Sequence, residues 1–321
     1  MPSATDFLRQ QPTFLCLVNG LPDSGKSDLA MSFPGCYVIT FDPTGFQILR
    51  NNSERSRRLA ANLVHIEPGT DVWGPNLFRQ TIKGAKKEDK PQPVDSSHRD
   101  SIYGCFAHVV ELAKAGSVQT LILDGFNYLV GEKWKRICAD PVHIAPSGEL
   151  DRFAAYRALK LFLDQFTWAT LLPLAIRNSL NLVVTCHIKR ESEEAVTGVD
   201  AKGVRKATGK VSQDSNLAPI IEGSFRNEID GKFGAVIYLE HRPIIRKVQK
   251  PGTTEFINVA GMEFFAYCQK VVVPTFGTAV NAKNKYGMPA RLNITDKNFY
   301  EILLSKVAQP ELQAATVEAA K

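Results

Sequence analysis

The chain has 321 residues, of which 44% are hydrophobic and 22% charged, and its formal net charge is +6 at pH 7. This length allows a large α/β core, and the mildly basic charge permits a polyanionic partner without requiring one. Six scattered cysteines without a C-x-x-C pair argue against a disulfide scaffold or a zinc site and favour a reducing cytoplasm. We find no signal-peptide pattern and expect no apolar run to span a bilayer, so no membrane partner is predicted.

A strand followed by a glycine-rich loop is the first predicted feature. Residues 20–27 read GLPDSGKS and fit the phosphate-loop pattern G-x-x-x-x-G-K-S/T without a gap. The glycines let backbone N–H groups approach phosphate oxygens, while Lys26 would reach the β- and γ-phosphates and Ser27 would ligate Mg²⁺. The side chain of Asp23 must then point away. The residues expected to contact ATP are Gly20, Leu21, Pro22, Asp23, Ser24, Gly25, Lys26, Ser27 and Asp28.

Alternating strand and helix signals around this loop predict an α/β domain with a largely parallel sheet, extended late in the chain by antiparallel strands. The predicted strands cover residues 14–18, 36–41, 63–66, 120–124, 181–186, 235–240, 243–248 and 255–259. The predicted helices cover residues 24–33, 99–116, 126–137, 149–178 with a candidate break at Pro173, and 296–308. Residues 67–98 have no clear period and are interpreted as an inserted surface excursion.

Polar residues at strand ends are the next candidates for the site. Asp124 ends a buried strand and is predicted to hold Mg²⁺ together with Ser27. Thr185 and His187 lie at the end of another strand, with His187 expected just past it. Because strand ends on the phosphate-loop side face the nucleotide, both are candidate sensors of the γ-phosphate. A surface or capping role for His187 remains open.

A cationic segment follows directly. Between residues 188 and 231 the apolar periodicity disappears, and the early part of this stretch is acidic. The later part, residues 201–210 of a loop at about 188–218, holds Lys202, Arg205, Lys206 and Lys210 among small and turn-forming residues. This pattern predicts a flexible basic loop that suits a phosphate backbone, with a solvated hairpin as the alternative. Aromatic side chains are missing between residues 188 and 224, which argues against base-specific readout.

The combination of these motifs resembles the RecA-like core, and most closely the phage-encoded single-strand annealing ATPases of the Sak type. The resemblance covers roughly residues 12–290, with residues 291–321 as a C-terminal helix and tail. Residues 282–287, AKNKYG, are similar to the Lys-Asn-Arg-x-Gly motif of bacterial RadA. The resemblance implies that Lys283 and Lys285 reach the nucleotide of an adjacent subunit and offset charge on the transferred phosphoryl group. A basic surface turn is the alternative.

Two departures from the family pattern bear on catalysis. The family's carboxylate that orients the attacking water falls at Thr44 in this chain, and Asp42 stands at the strand end instead. Glu54 and Glu67 are open substitutes for it. Lys285 stands where the RadA motif has Arg, which keeps the charge but loses bidentate geometry. We therefore expect hydrolysis to be slow or to depend on assembly.

The expected function is an ATP- and Mg²⁺-dependent ATPase that acts on single-stranded DNA in phage-type recombination, annealing or replication. It would work as a homo-oligomeric ring or filament, together with a phage single-strand binding protein, in the host cytoplasm if phage-encoded. The alternative is a nucleotide-gated assembly factor that hardly hydrolyses ATP. A small-molecule phosphate-loop kinase is a third interpretation.

Overall fold

The computed structural model describes residues 13–42, 62–66, 101–191, 194–199, 205–211, 216–221, 225, 228–249, 251–252, 254–273 and 278–307. The predictions that concern Thr44, Glu54, Glu67, Lys202 and the excursion at 67–98 lie outside these residues.

The described chain alternates strands and helices through its first half and is rich in strands afterwards. The strands are β1 Leu15–Gly20, β2 Cys36–Thr40, β3 Leu63–His65, β4 Thr120–Asp124, β5 Asn181–Glu191, β6 Glu194–Val199, β7 Arg205–Val211, β8 Asn216–Pro219, β9 Ala235–Gln249, β10 Phe256–Tyr267, β11 Val271–Val273, β12 Thr278–Val280, β13 Lys283–Asn284 and β14 Arg291–Asn293. The α-helices are α1 Lys26–Ala30, α2 Ile102–Lys114, α3 Phe126–Ala139, α4 Arg152–Asp164, α5 Leu172–Arg177, α6 Ile229–Lys232 and α7 Phe299–Val307.

A ten-stranded sheet organises the fold. Its strand order is β14-β10-β9-β1-β5-β4-β2-β3, with β13 beside β9 and β8 beside β5. The six neighbours from β9 to β3 run parallel, whereas β10, β13 and β14 add antiparallel pairs. This confirms an α/β protein with a mostly parallel central sheet extended by antiparallel strands.

The two faces of the sheet are covered by different helices, because alternate residues of each strand point to opposite sides. On one face Cys16 and Val18 pack with Leu29 of α1 and Leu303 of α7. On the other face Leu17 packs in the core that includes residues of α2, α3, α4 and α5. Burial on both sides fixes the register of β1 and, with it, the point where the glycine loop leaves the sheet.

Two strand predictions need correction. β5 continues to Glu191, so His187 lies within the strand, paired with Gly20 of β1, rather than past its end. The predicted strands 235–240 and 243–248 are the single strand β9, whose first residues pair in parallel with β1. Pro243 does not interrupt β9, because only β10 pairs with the strand there and a missing N–H is tolerated at a free edge.

The segment predicted as a flexible cationic loop is largely regular in the described residues. β6 and β7 form an antiparallel two-stranded sheet, and β8 pairs with the end of β5. The hairpin alternative therefore describes residues 194–199 and 205–211 correctly. Composition alone was misleading, because turn-forming and charged residues are tolerated in a two-stranded sheet as well as in a loop.

The helical prediction for residues 149–178 holds without a break at Pro173. A π-helical stretch, Gln165–Leu171, links α4 to α5, and Pro173 lies in the first turn of α5, where its missing N–H is tolerated. The combined helix Arg152–Arg177 is, in the described part of the chain, long and apolar enough to cross a membrane, so the expectation of no such run is wrong for this helix. Half of its apolar window is buried inside the protein.

Candidate functional site

The loop between β1 and α1 contains two glycines at which an added side chain would be crowded or strained. A Cβ on Gly20 would lie 2.2 Å from the Ser24 hydroxyl oxygen. Gly25 has φ of 82°, in the left-handed region, and a Cβ there would lie 3.1 Å from the ring of Phe264. The non-glycine Asp23 also adopts a left-handed φ of 60° and is exposed. In a tight loop, residues with left-handed backbone angles point successive N–H groups toward a common concavity, which favours an anion.

α1 is shorter than predicted and contributes little by its dipole. It spans five residues, Lys26–Ala30, because the chain turns at Met31 instead of continuing through residue 33. Electrostatic attraction for an anion at this loop must therefore come mainly from the loop N–H groups and from the side chain of Lys26.

The Asp124 carboxylate at the end of β4 faces the start of α1. The Ser27 hydroxyl donates to its two oxygens over 3.2 and 3.0 Å. Thr185 of β5 donates to Asp124 Oδ1 over 2.6 Å and accepts from the N–H of Gly125 over 2.9 Å. The Thr185 contacts follow from the strand order, because β5 pairs in parallel with β4 and Val184 lies opposite Leu123, which places Thr185 beside Asp124.

The charges in this group are buried, and burial changes their acid–base behaviour. Burial lowers the pKa of Lys26 to about 8, although the neighbouring Asp124 carboxylate acts in the opposite direction. Burial raises the pKa of Asp124, while hydrogen bonds from Thr185 and Ser27 oppose that shift. The Lys26 ammonium donates to the carbonyl of Leu21 over 2.6 Å, within its own loop. A bound anion would compete for this ammonium and would compensate its lost hydration.

Asp42 and His187 lie at the same edge of the sheet. Asp42 follows β2, where the N–H of Phe41 donates to the Asp124 carbonyl over 3.0 Å, and its charge acts on both Lys26 and Asp124. The backbone N–H of His187 donates to Asn127 Oδ1 over 3.2 Å. Burial, then the charge of Lys26, lowers the pKa of His187. The neutral imidazole is thus favoured beside the loop.

The basic turn with Lys283 and Lys285 lies at the amino edge of the sheet, where the parallel strands begin, opposite the edge that carries the glycine loop. Lys283 pairs with Val236 near the start of β9, and the N–H of Lys285 donates to the carbonyl of Gly234 over 2.9 Å. The Leu15 N–H, at the start of β1, donates to the Tyr286 hydroxyl over 3.0 Å. β1 ends five residues later at Gly20, roughly 17 Å along an extended strand. One chain therefore does not bring Lys283 or Lys285 to its own glycine loop.

The predicted DNA-binding residues are placed only by their backbone. Arg205, Lys206 and Lys210 belong to β7 of the two-stranded sheet. That sheet follows β5, the strand that passes beside the glycine loop.

Three residues of this neighbourhood were not anticipated from the sequence. Asn127 holds the backbone at His187, Tyr128 places its ring 5.9 Å from the imidazole, and Phe264 lies against Gly25. Asn127 and Tyr128 follow Asp124 closely, so their proximity to that strand end was the available signal. Phe264 is 239 positions from Gly25, and no local pattern connects the two.

The donor set suits Mg²⁺ better than a metal that is held by protein ligands alone. Within the described residues no group of three or more His, Cys, Asp or Glu side chains could hold a metal ion. Ser27 and Asp124 supply one hydroxyl and one carboxylate, which is the type of partial oxygen shell that Mg²⁺ completes with phosphate oxygens and water.

Compared with known proteins, the chain matches no family model and no curated protein.

Proposed function

We propose that this chain binds ATP with Mg²⁺ through a phosphate loop and acts as a RecA-like ATPase on single-stranded DNA. The observation that carries the proposal is the convergence of Lys26, Ser27 and Asp124 at the carboxyl edge of a parallel sheet, with Ser27 Oγ 3.0 Å from the carboxylate. Ligands of open α/β sheets bind at this edge. A loop of the phosphate-binding pattern, a buried ammonium and a partial Mg²⁺ shell together fit a nucleoside triphosphate.

Each residue of the group has a distinct task in this proposal. The loop N–H groups and Lys26 hold the β- and γ-phosphates, and burial in a low-dielectric setting strengthens these contacts. Ser27 and Asp124 would hold Mg²⁺, which neutralises charge on the phosphates when bound. Thr185 keeps the Asp124 side chain oriented through its 2.6 Å hydrogen bond.

Hydrolysis needs a group that orients the attacking water, and Asp42 is the carboxylate that we assign to this task. It follows β2 and acts electrostatically on Lys26 and Asp124. His187 is the second polar side chain at this edge, and its neutral form would sense the γ-phosphate as a hydrogen-bond partner. Because the family's carboxylate position is Thr44 here, we expect slow hydrolysis in the isolated chain.

In this proposal a neighbouring subunit supplies Lys283 and Lys285 to the nucleotide site. Lys283 and Lys285 lie at the amino edge of the sheet, away from the loop of their own chain. A neighbouring copy could present this edge to the phosphate loop, and the two lysines would then offset charge on the transferred phosphoryl group. The β6–β7 sheet, with Arg205, Lys206 and Lys210, is the proposed contact with the DNA backbone.

A nucleotide-gated assembly factor is the second candidate. The observation that favours it is the identity of residue 44, a threonine that cannot act as a base for water. Both candidates require ATP to bind at the same loop, so turnover separates them. DNA-stimulated ATP hydrolysis supports the ATPase, whereas tight ATP binding with no turnover under any DNA condition supports the assembly factor.

A subunit-mixing experiment tests the catalytic proposal. One variant carries Lys26→Ala and the other carries Lys283→Ala with Lys285→Ala, and ATP hydrolysis is measured for each alone and for mixtures with single-stranded DNA. We expect both variants to be inactive alone and a mixture to regain part of the activity, because one composite site combines an intact loop with intact lysines. Full activity of the double lysine variant alone would remove the lysines from the mechanism.

A further inference from the structure

A cavity adjoins the glycine loop at Gly25. It has a volume of about 550 Å³ and lies between α1 and the turn that leads from β14 into α7. Gly25 and Asp28 form its border with the loop, and Phe264 of β10 forms the facing wall. The cavity therefore borders the proposed phosphate site at Gly25.

Apolar side chains form one part of the cavity lining. Leu29 and Phe299 are buried at its base, and Ile294 is partly buried beside them. The ring of Phe264 is half-buried and lies against the backbone of Gly25, close enough that a Cβ there would be 3.1 Å away. An aromatic wall above an aliphatic base suits a flat heterocycle.

Polar or charged residues also line the cavity, at Asp28, Ser32, Asp296, Lys297 and Asn298. Asp28 and Asp296 are exposed there, and Asn298 begins the last turn before α7 with its side chain bonded to Glu301. Carboxylates and a side-chain amide in the lining of this cavity suit ribose hydroxyls and the amino and ring nitrogens of a base. The volume lies within the range typical of small-molecule sites, and it has room for a base with two fused rings.

We infer that this cavity holds the purine base of the nucleotide whose phosphates the glycine loop binds, with Phe264 as the side chain that packs on the base. This inference rests on the proposed nucleotide site. It assigns to Phe264 and to the residues 294–299 a role in affinity that is independent of the phosphates.

Binding measurements with and without a base test the inference. We compare the dissociation constants of Mg·ATP and Mg·tripolyphosphate, by calorimetry, for wild type, Phe264→Ala and Phe264→Trp. Phe256→Ala is the matched control, because Phe256 is an exposed phenylalanine of the same strand that does not line the cavity. Wild type should bind Mg·ATP more tightly, and Phe264→Ala should weaken Mg·ATP roughly 5- to 150-fold while leaving tripolyphosphate unchanged. Phe264→Trp should retain the wild-type affinity for Mg·ATP.

The outcomes separate this inference from the proposed function. Equal affinity of wild type for ATP and tripolyphosphate, or an equal loss of both in Phe264→Ala, refutes the base site while the phosphate site stands. Binding of neither ligand by wild type refutes the proposed function itself.

Photolabelling covers the case of a Phe264 variant that does not fold, because it uses unaltered protein. Irradiation with 8-azido-ATP should label peptides that contain residues 264 or 294–299, and labelling confined to other peptides overturns the inference.

Discussion

Replacing Thr185 by valine removes one hydroxyl from the candidate site and keeps the branching of the side chain. Thr185 is buried in β5. Its hydroxyl donates to Asp124 over 2.6 Å and accepts from the Gly125 N–H over 2.9 Å. The variant therefore leaves the buried Asp124 carboxylate without its Thr185 donor, and the buried Gly125 N–H without its acceptor. Ser27 still donates to Asp124.

The magnitude follows from these two lost bonds. A hydrogen bond to a charged group contributes about 1.5–3 kcal/mol, and a buried donor without a partner costs about 1–3 kcal/mol. The added methyl group gains about 1 kcal/mol by burial, which offsets part of the loss. We expect Thr185→Val to lower the free energy of unfolding by about 2–4 kcal/mol at pH 7. It should also raise the pKa of Asp124 further, because the Thr185 hydrogen bond opposes the effect of burial.

Urea unfolding, followed by circular dichroism, measures this change against a matched control. Thr167 is equally buried, but its hydroxyl has no hydrogen-bond partner within the described part of the chain. Thr167→Val should therefore leave stability unchanged or raise it by up to about 1 kcal/mol. The reasoning fails if Thr185→Val stays within about 0.5 kcal/mol of wild type, or if both valine variants lose the same amount.

Three further predictions concern charge. Burial raises the pKa of Asp230 to about 6, above its unfolded value. The stability that protonated Asp230 contributes is therefore present below about pH 4 and declines as the pH rises to 6. In urea titrations, Asp230→Asn should remove this decline and raise the free energy of unfolding by about 2 kcal/mol at pH 7. Because the pKa of Lys26 is lowered to about 8, the affinity for Mg·ATP should be constant below pH 7 and fall above pH 8, and Lys26→Met should lose this response. Replacing Arg205, Lys206 and Lys210 by alanine should reduce the salt slope of single-stranded DNA binding by about 2, measured by fluorescence anisotropy.

Each of the three predictions on charge has a result that would contradict it. If wild type and Asp230→Asn lose stability equally between pH 4 and 6, the decline cannot be assigned to Asp230. Glu111→Gln, on the exposed face of α2, is the control. A Lys26→Met protein that keeps the alkaline loss of affinity removes Lys26 as its source. An unchanged salt slope in the triple variant excludes β7 from the DNA contact.

The glycine loop and the core strands were predictable because their signals are local. A continuous apolar run next to G-x-x-x-x-G-K-S specifies a buried strand and a tight turn within fourteen residues, 14–27. Asp124 was placed for the same reason, since an apolar strand that ends in a carboxylate needs no distant partner to be recognised. The proximity of Ser27 to Asp124 then follows from parallel strands sharing one edge.

Pairing between distant segments could not be read from the sequence. The run 235–240 is apolar on both faces, and its period does not distinguish a parallel partner from an antiparallel one. The structure pairs it with β1 on one side and with β13 and then β10 on the other. The contact of Phe264 with Gly25 depends on that pairing, so it appears only once β9 and β10 are in register.

Calorimetric titration with ATP, in Mg²⁺ and in EDTA, tests the central claim most directly. We expect wild type to bind one ATP per chain, Lys26→Met to lose at least about 100-fold in affinity, and Asp124→Asn to lose affinity only when Mg²⁺ is present. Unchanged affinity in Lys26→Met, or no binding by the folded wild-type protein, would contradict the account.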